Sequence, residues 1–270
     1  MPELPEVETT RRGIEPLISG QRVRDIVVRD RRLRWPVSPR WARALPGTVI
    51  HAVDRRAKYL LIRSDTGTTL LHLGMSGSLR FVGPDTPPGK HDHVDLIFDR
   101  GVLRFRDPRR FGSIHWTTRD PLQHRLLRDL GPEPLAGDFT GDVLWQASRG
   151  RRVAVKNFIM DSHIVVGVGN IYASESLFRA RIHPKRAAGR ISQARYAALV
   201  DAIRDVLSEA IEDGGTTLKD FVRERGQPGY FGQQLQVYDR EGEPCRRCKT
   251  PIKTARIGQR SAFYCPACQR

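Results

Sequence analysis

Four cysteines close to the end of the sequence have the spacing that most clearly indicates chemistry. They form two pairs with two residues inside each pair and sixteen between the pairs: Cys245, Cys248, Cys265 and Cys268. Two such pairs can bring four thiolates to one tetrahedral Zn²⁺ ion. Because four thiolates leave no open coordination position, we predict one structural zinc held in a β-hairpin rather than a catalytic metal.

The start of the sequence, MPELPE, offers a second kind of chemistry. Removal of Met1 would leave Pro2 with a free secondary amine, which can add to an aldehydic sugar carbon and form an iminium ion. Glu3 lies beside it and could protonate a departing sugar oxygen. The residues alone leave open that this segment is an ordinary terminus leading into a helix, which the apolar spacing predicts from Pro5 to Ile18.

The charge of the chain indicates its partner. Lysine and arginine number 46 against 30 aspartates and glutamates, which gives a net charge of +16. A field of this sign attracts polyanions, so nucleic acid is the first partner to test. The sequence has no apolar run of about 18 residues and no secretory signal, and we therefore expect a cytoplasmic protein without a membrane partner.

Apolar patterning divides the chain into regions of different structure. Short apolar runs separated by Gly, Pro and Asp predict many strands before Trp116, and hence a β-sandwich or barrel-like first domain. The Pro- and Gly-rich stretch from Asp129 to Asp138 is typical of a linker. Helical periodicity dominates after it and is clearest from Ser192 to Glu212. We predict an α+β multidomain protein whose cysteine-rich end is a separate unit.

Nine segments taken together resemble bacterial formamidopyrimidine-DNA glycosylases. In the family's order they are MPELPEVETTRRG, RRAKYL, HLGMSGSLR, HDHVD, DPRRFG, LGPEPL, VGVGNIYASE, GGTTLKDF and the four-cysteine hairpin. The resemblance implies an N-terminal β-sandwich with flanking helices over residues 1–130, a helix-two-turn-helix domain over 131–225 and a zinc finger over 236–270. It also implies a monomeric, nucleoid-associated base excision repair enzyme. Such an enzyme removes 8-oxoguanine and formamidopyrimidines from double-stranded DNA and then cleaves the strand by β,δ-elimination.

The resemblance implies a catalytic role for four residues of this sequence. Pro2 matches the Schiff-base nucleophile, and Glu3 matches the proton donor for base loss. Lys58, in RRAKYL, matches a lysine that contacts the phosphate of the lesion and assists β-elimination. Arg260, in GQRSAF between the cysteine pairs, matches a finger residue assigned to δ-elimination and phosphate binding.

Seven further residues match DNA-contact positions of the family. Three are expected to fill the gap left by an extruded nucleotide, namely Met75, Arg109 and Phe111. Four are expected to bind the DNA backbone, namely His91, Arg151, Lys156 and Asn170. Asn170 lies where a glycine-rich turn meets a predicted helix, a geometry that presents backbone donors to phosphate. Arg151 stands where lysine is common in the family, which keeps the attraction for phosphate.

Two alternative functions stay open at this point. A related endonuclease VIII-like glycosylase begins with MPEGPE and removes oxidised pyrimidines, whereas Leu4, GMSGSLR and DPRRFG in this sequence favour the purine enzyme. A noncatalytic zinc-ribbon DNA-binding protein would also explain the basic composition and the cysteines. Retention of Met1 would favour that second alternative, because it blocks the amine of Pro2.

Overall fold

The computed structural model describes residues 2–215 and 231–270, and these residues form two compact units. The first unit comprises residues 2–128 and 213–215, and the second comprises residues 129–212 and 231–270. In the described ranges, no helix is both long and apolar enough to cross a membrane.

Two antiparallel sheets of four strands each build the first unit. One sheet has the order β1-β6-β7-β5, with β1 (Asp25–Val28), β5 (Ser78–Val82), β6 (Asp92–Phe98) and β7 (Gly101–Arg106). The other has the order β2-β3-β4-β8, with β2 (Ile50–Arg56), β3 (Tyr59–Ser64), β4 (Gly67–His72) and β8 (Ser113–Thr117). Two helices flank them, α1 (Leu4–Ile18) and α2 (Pro39–Ala44). The predicted β-sandwich with flanking helices is confirmed.

One apolar core joins the two sheets and α1. The first sheet contributes Leu96, Leu103 and Phe105, and the second contributes Leu60, Ile62 and Leu71. Helix α1 adds its apolar stripe at helical spacing, namely Val7, Ile14 and Ile18. Burying each such side chain stabilises the fold by about 1.5–3 kcal/mol. The core therefore holds the strands in place, and with them the loops at the strand ends.

The second unit combines four α-helices with a β-hairpin. The helices are α3 (Gly141–Ser148), α4 (Val155–Ile159), α5 (Asn170–Arg179) and α6 (Gln193–Glu212), and the hairpin pairs β9 (Lys253–Ile257) with β10 (Arg260–Tyr264). The sequence predicts these helices, although it places the second one over Val153–Met160. Helix α4 is shorter because Ala154 has extended backbone and forms an isolated β-bridge with Ala187.

The cysteine-rich end packs against a helix of the second compact unit. Val237, Ile252 and the buried thiols of Cys245 and Cys265 share an apolar cluster with Phe178 of α5. A ribbon of this size buries too little apolar surface to fold on its own, and α5 supplies the missing core. The predicted β-hairpin is confirmed, and the bounds of the zinc finger as a domain of its own stay a prediction.

Candidate functional site

The four cysteines form a site that fits a zinc ion. Their Sγ atoms all lie within 4.8 Å of one another. Cys248 Sγ is 3.4 Å from Cys265 Sγ and 3.5 Å from Cys268 Sγ. A tetrahedral zinc with Zn–S bonds of about 2.3 Å requires sulfur–sulfur distances of about 3.8 Å, so the arrangement matches. Four thiolates satisfy this ion fully, and the site holds one structural zinc.

The N-terminus of α1 is capped by the carboxylates of Glu3 and Glu6. Glu3 is the N-cap residue and forms a capping box with Glu6, whose Oε2 accepts the Glu3 amide at 2.8 Å. Pro5 occupies the first turn, where a missing N–H leaves no hydrogen bond unmade. The helix therefore begins without the usual Ser or Thr cap, one residue earlier than predicted. Pro2 and Glu3 are both buried at this end of the helix.

A chain of hydrogen bonds connects α1 to the turn that carries Lys58. Glu8 of α1 accepts from Arg55 Nε at 3.1 Å, and Arg55 Nη1 donates to the Ala57 carbonyl at 2.9 Å. Ala57, with a left-handed φ of 54°, and Lys58 form the two-residue turn between β2 and β3. Arg55 thus ties the Lys58 turn to the helix that begins beside Glu3.

His72, which the sequence analysis did not single out, lies beside this turn. Its ring packs on Tyr59 with the ring centroids 4.8 Å apart, and its Nδ1 accepts the Gly74 amide at 3.0 Å. Burial, together with the nearby charges of Lys58 and Arg34, lowers the pKa of His72 to about 4. The ring is therefore neutral at pH 7 and carries its proton on Nε2. HLGMSG contains this histidine, but the motif drew attention only to Met75.

Two loops that lie side by side carry the three residues expected to fill the DNA gap. The Met75 loop (residues 73–77) joins β4 to β5, and the Phe111 loop (residues 107–112) joins β7 to β8. Both run between the same two sheets, because β4 pairs with β8 and β5 pairs with β7. Arg109 stacks its guanidinium over the Phe111 ring at 5.0 Å, and the ring is 43% exposed. The register of the sheets thus brings together motifs that are far apart in sequence.

Lys156, which is expected to bind DNA, lies in the interior of the second unit. Its side chain is fully buried, and Nζ donates to Asn170 Oδ1 and, at 2.7 Å, to the Ser261 carbonyl. The DNA contact that the family resemblance implies for this lysine stays a prediction. An ammonium group can only donate, so it turns the Asn170 oxygen towards itself and leaves the amide N–H groups facing away. That orientation suits binding of an anion by Asn170.

The other residues with expected DNA contacts occupy turns and helix ends. Asn170 is the first residue of α5, directly after the N-cap Gly169, as the sequence predicts. Arg260 is exposed at the start of β10, beside the tip of the zinc hairpin. Arg151 is exposed before α4, and partly buried His91 precedes β6. The segment GGTTLKDF, expected to begin a mobile loop, lies outside the described residues from Thr216 onwards.

Glu175 is a second residue that the sequence analysis did not single out. Its buried carboxylate on α5 accepts the backbone amides of Gln236, Val237 and Tyr238 at 2.8, 3.0 and 2.8 Å. These three residues lead into the zinc finger, so one carboxylate fixes the path of the chain there. VGVGNIYASE includes Glu175, but nothing in the motif indicates that its partners lie about sixty residues later.

Comparison with known families defines the class of protein. The model of the formamidopyrimidine-DNA glycosylase N-terminal domain matches residues 1–114, and the model of the H2TH domain of the same enzymes matches residues 130–222. A third model, the zinc finger found in FPG and IleRS, matches residues 242–270. The fold and these matches define a zinc-containing DNA glycosylase of the helix-two-turn-helix class.

Individual relatives and solved structures are similar to this chain over nearly its full length. Formamidopyrimidine-DNA glycosylases of Syntrophotalea carbinolica and Alkalilimnicola ehrlichii are 60% and 61% identical, with 100% of both chains covered. The MutM (Fpg) structure from Thermus thermophilus has a TM-score of 0.89 at 39% identity and covers 99% of this chain and 98% of its own. Lactococcus lactis Fpg in complex with DNA containing an abasic site has a TM-score of 0.92 at 33% identity, with 99% of each chain covered.

The chain belongs to the formamidopyrimidine-DNA glycosylase family. It is an enzyme, a DNA glycosylase with the lyase activity typical of that family. These matches favour the glycosylase over both the pyrimidine-specific and the noncatalytic alternatives.

Proposed function

We propose that the protein excises oxidised purines from duplex DNA through the amine of Pro2. The observation that carries this proposal is the start of α1, where Pro2 and Glu3 are buried together. Arg55 links that helix to the Lys58 turn through Glu8 and Ala57. Pro2 and Glu3 at the start of α1 are thus connected by hydrogen bonds to the turn that carries Lys58.

The proposed chemistry assigns one step to each group. The Pro2 amine, once Met1 is removed, attacks the sugar carbon that bears the lesion; the base leaves with the bonding electron pair and takes up a proton, and the amine nitrogen loses its own proton. Glu3 donates a proton to the ring oxygen as the sugar opens, which leaves an iminium ion on Pro2. The iminium withdraws electrons from the sugar, so that loss of a C2′ proton breaks the C3′–O bond and β-elimination releases the 3′ phosphate. We assign Lys58 to this phosphate, and Arg260 to the phosphate that leaves in the following δ-elimination.

The proposed DNA contacts fall into two groups. Arg151, His91 and Asn170 bind phosphates, which supplies affinity without sequence preference. The Met75 and Phe111 loops enter the duplex where the damaged nucleotide leaves the stack, with Arg109 facing the orphaned base. Fpg of Lactococcus lactis has been solved in complexes with DNA containing Fapy-dG or an abasic site, which supports this choice of substrate.

Three further assignments complete the proposal. We propose that the protein acts as a monomer, that it is cytoplasmic and associates with the nucleoid, and that its domains span residues 1–130, 131–225 and 236–270. The positive net charge of +16 supports association with the nucleoid.

Borohydride trapping tests the proposal directly. Incubation with an 8-oxoguanine duplex and borohydride should reduce the iminium and leave a covalent protein–DNA adduct, whereas an undamaged duplex should give none. Adding one residue before Pro2 converts the amine into an amide and should abolish the adduct, while affinity for undamaged duplex stays unchanged. An undiminished adduct in the extended protein would exclude Pro2 as the nucleophile.

A further inference from the structure

A buried carboxylate between the two gap-filling loops has no role in the chemistry described above. Asp107, the first residue of the Phe111 loop, is fully buried. Its Oδ1 accepts the hydroxyl of Ser76 in the Met75 loop at 2.8 Å, and its Oδ2 accepts the Gly112 amide at 2.7 Å. One carboxylate therefore binds the middle of one loop and the end of the other.

Further contacts make the two loops a single unit around Asp107. Ser76 Oγ also accepts the Arg109 amide at 3.2 Å, so the hydroxyl connects the carboxylate to the residue that stacks on Phe111. Gly74, with a left-handed φ of 68°, lies so close to Phe111 and Gly112 that a Cβ atom there would overlap their backbone. The loops thus touch through backbone at one point and through the carboxylate at another.

The base of this arrangement is also fixed. The Asp107 amide donates to the His91 carbonyl at 3.0 Å, and the Asp107 carbonyl lies 2.8 Å from His93 Nε2. The guanidinium of the neighbouring Arg110 pairs with Asp30 at 2.7 Å and so is held away from the carboxylate. Asp107 is therefore anchored in the sheet and bonded to both loops by its side chain.

We propose that Asp107 is a positioning residue that holds the Met75 and Phe111 loops in one fixed arrangement, so that their side chains enter the DNA stack together. This inference rests on the proposed gap-filling role of Met75, Arg109 and Phe111. Extrusion of a nucleotide requires that the vacated space be filled at once, because the unstacked state is otherwise unfavourable by a few kcal/mol. Loops that are already in position lose less conformational freedom when they fill it.

The substitution Asp107→Asn tests this role with almost no change in side-chain volume. The carboxylate faces two donors, the Ser76 hydroxyl and the Gly112 amide, whereas an asparagine side chain offers one acceptor and one donor group. If the amide N–H group faces Gly112, two donors oppose each other; if it faces Ser76, the hydroxyl can accept that N–H but loses the carboxylate oxygen that accepts its own proton. Thr69→Val is the matched control, because it also removes a buried hydrogen bond of this unit, from Trp41 Nε1 to Thr69 Oγ1 at 2.7 Å, without touching either loop.

The experiment compares Asp107→Asn, Phe111→Ala, the double variant and Thr69→Val. Single-turnover excision of 8-oxoguanine should slow by about tenfold or more in Asp107→Asn, the equivalent of one hydrogen bond to a charged group. Borohydride trapping on a duplex with a preformed abasic site should change by less than about threefold, because no base has to be unstacked there. If Asp107 acts through the loops, the double variant should be no slower than the slower single variant.

Three results would overturn the proposal: multiplicative losses in the double variant, equal losses on both substrates, or an equal loss in Thr69→Val. Should Asp107→Asn fail to fold, Ser76→Ala replaces it with the same expectations, because it removes only the hydroxyl between Asp107 and Arg109. Failure of the unmodified protein to form any adduct would instead overturn the proposed function. Normal trapping by that protein, with Asp107→Asn indistinguishable from Thr69→Val, would overturn this inference alone.

Discussion

Replacing Lys156 by methionine distinguishes two roles for this residue. The lysine either orients Asn170 for DNA binding or binds DNA directly. The change removes the hydrogen bonds from Nζ to Asn170 Oδ1 and to the Ser261 carbonyl. Bonds from a charged donor are worth about 1.5–3 kcal/mol each, but burying an ammonium costs several kcal/mol, and methionine relieves that cost. We therefore expect the free energy of unfolding to change by no more than about 2 kcal/mol.

The effect on DNA binding should be larger than the effect on stability. Without the ammonium, the Asn170 amide can turn its oxygen outwards and present an acceptor to a phosphate. Losing one hydrogen bond to a charged group weakens affinity by about 10- to 150-fold. The buried charge of Lys156 displaces no counterions from DNA, so the slope of log affinity against log salt should stay the same.

Titration of undamaged duplex at several salt concentrations measures both quantities, with Arg151→Met as the contrasting variant. Arg151 is exposed, and its loss should lower the salt slope by about one. A slope that falls by about one in Lys156→Met would show that Lys156 meets phosphate directly and would refute the positioning role. Unchanged affinity in Lys156→Met would show that the orientation of Asn170 does not matter for binding.

Three further outcomes follow from the zinc site, the Phe111 loop and His72. Removing zinc should disorder the hairpin that carries Arg260 and weaken DNA binding, because the small apolar cluster on Phe178 cannot hold the hairpin without the four metal bonds; tight lesion binding by verified metal-free protein would contradict this. Phe111→Ala should slow excision while keeping most of the salt-dependent affinity for undamaged duplex, measured by single-turnover kinetics and titration, and unchanged excision would assign the ring to the core. The pKa of His72 falls from 6.5 to about 4 on folding, so the unfolded chain binds the proton more readily as pH decreases. The free energy of unfolding should drop by up to about 3 kcal/mol between pH 6.5 and 4, and His72→Gln should flatten that part of the curve in denaturant titrations.

The sequence predicts those parts of the molecule that depend on local patterns. Apolar spacing locates most of the helices and strands, and the two cysteine pairs locate the metal site together with its hairpin. Such features depend on residues that are close along the chain, where periodicity and ligand spacing act directly. The family resemblance then provides the candidate catalytic residues, whose roles stay predictions.

Contacts between distant segments could not be predicted in this way. Lys156 looks like any other lysine of a basic chain until its partners, Asn170 and Ser261, are known. Glu175 and Asp107 are ordinary acidic residues in sequence, and each becomes informative only when the fold supplies backbone donors from elsewhere. Burial and long-range hydrogen bonding decide these roles, and neither has a local signature.

The Met75 and Phe111 loops run side by side between the same two sheets. This arrangement restricts insertions and deletions in either loop. Each loop starts and ends on strands that pair with those of the other loop, as His72 with Ser113 and Ser78 with Arg106. An inserted residue in one loop would move its side chains away from a neighbour that cannot follow. Variation in these two loops is therefore confined to substitutions, whereas the largely exposed stretch between β5 and β6 can absorb insertions.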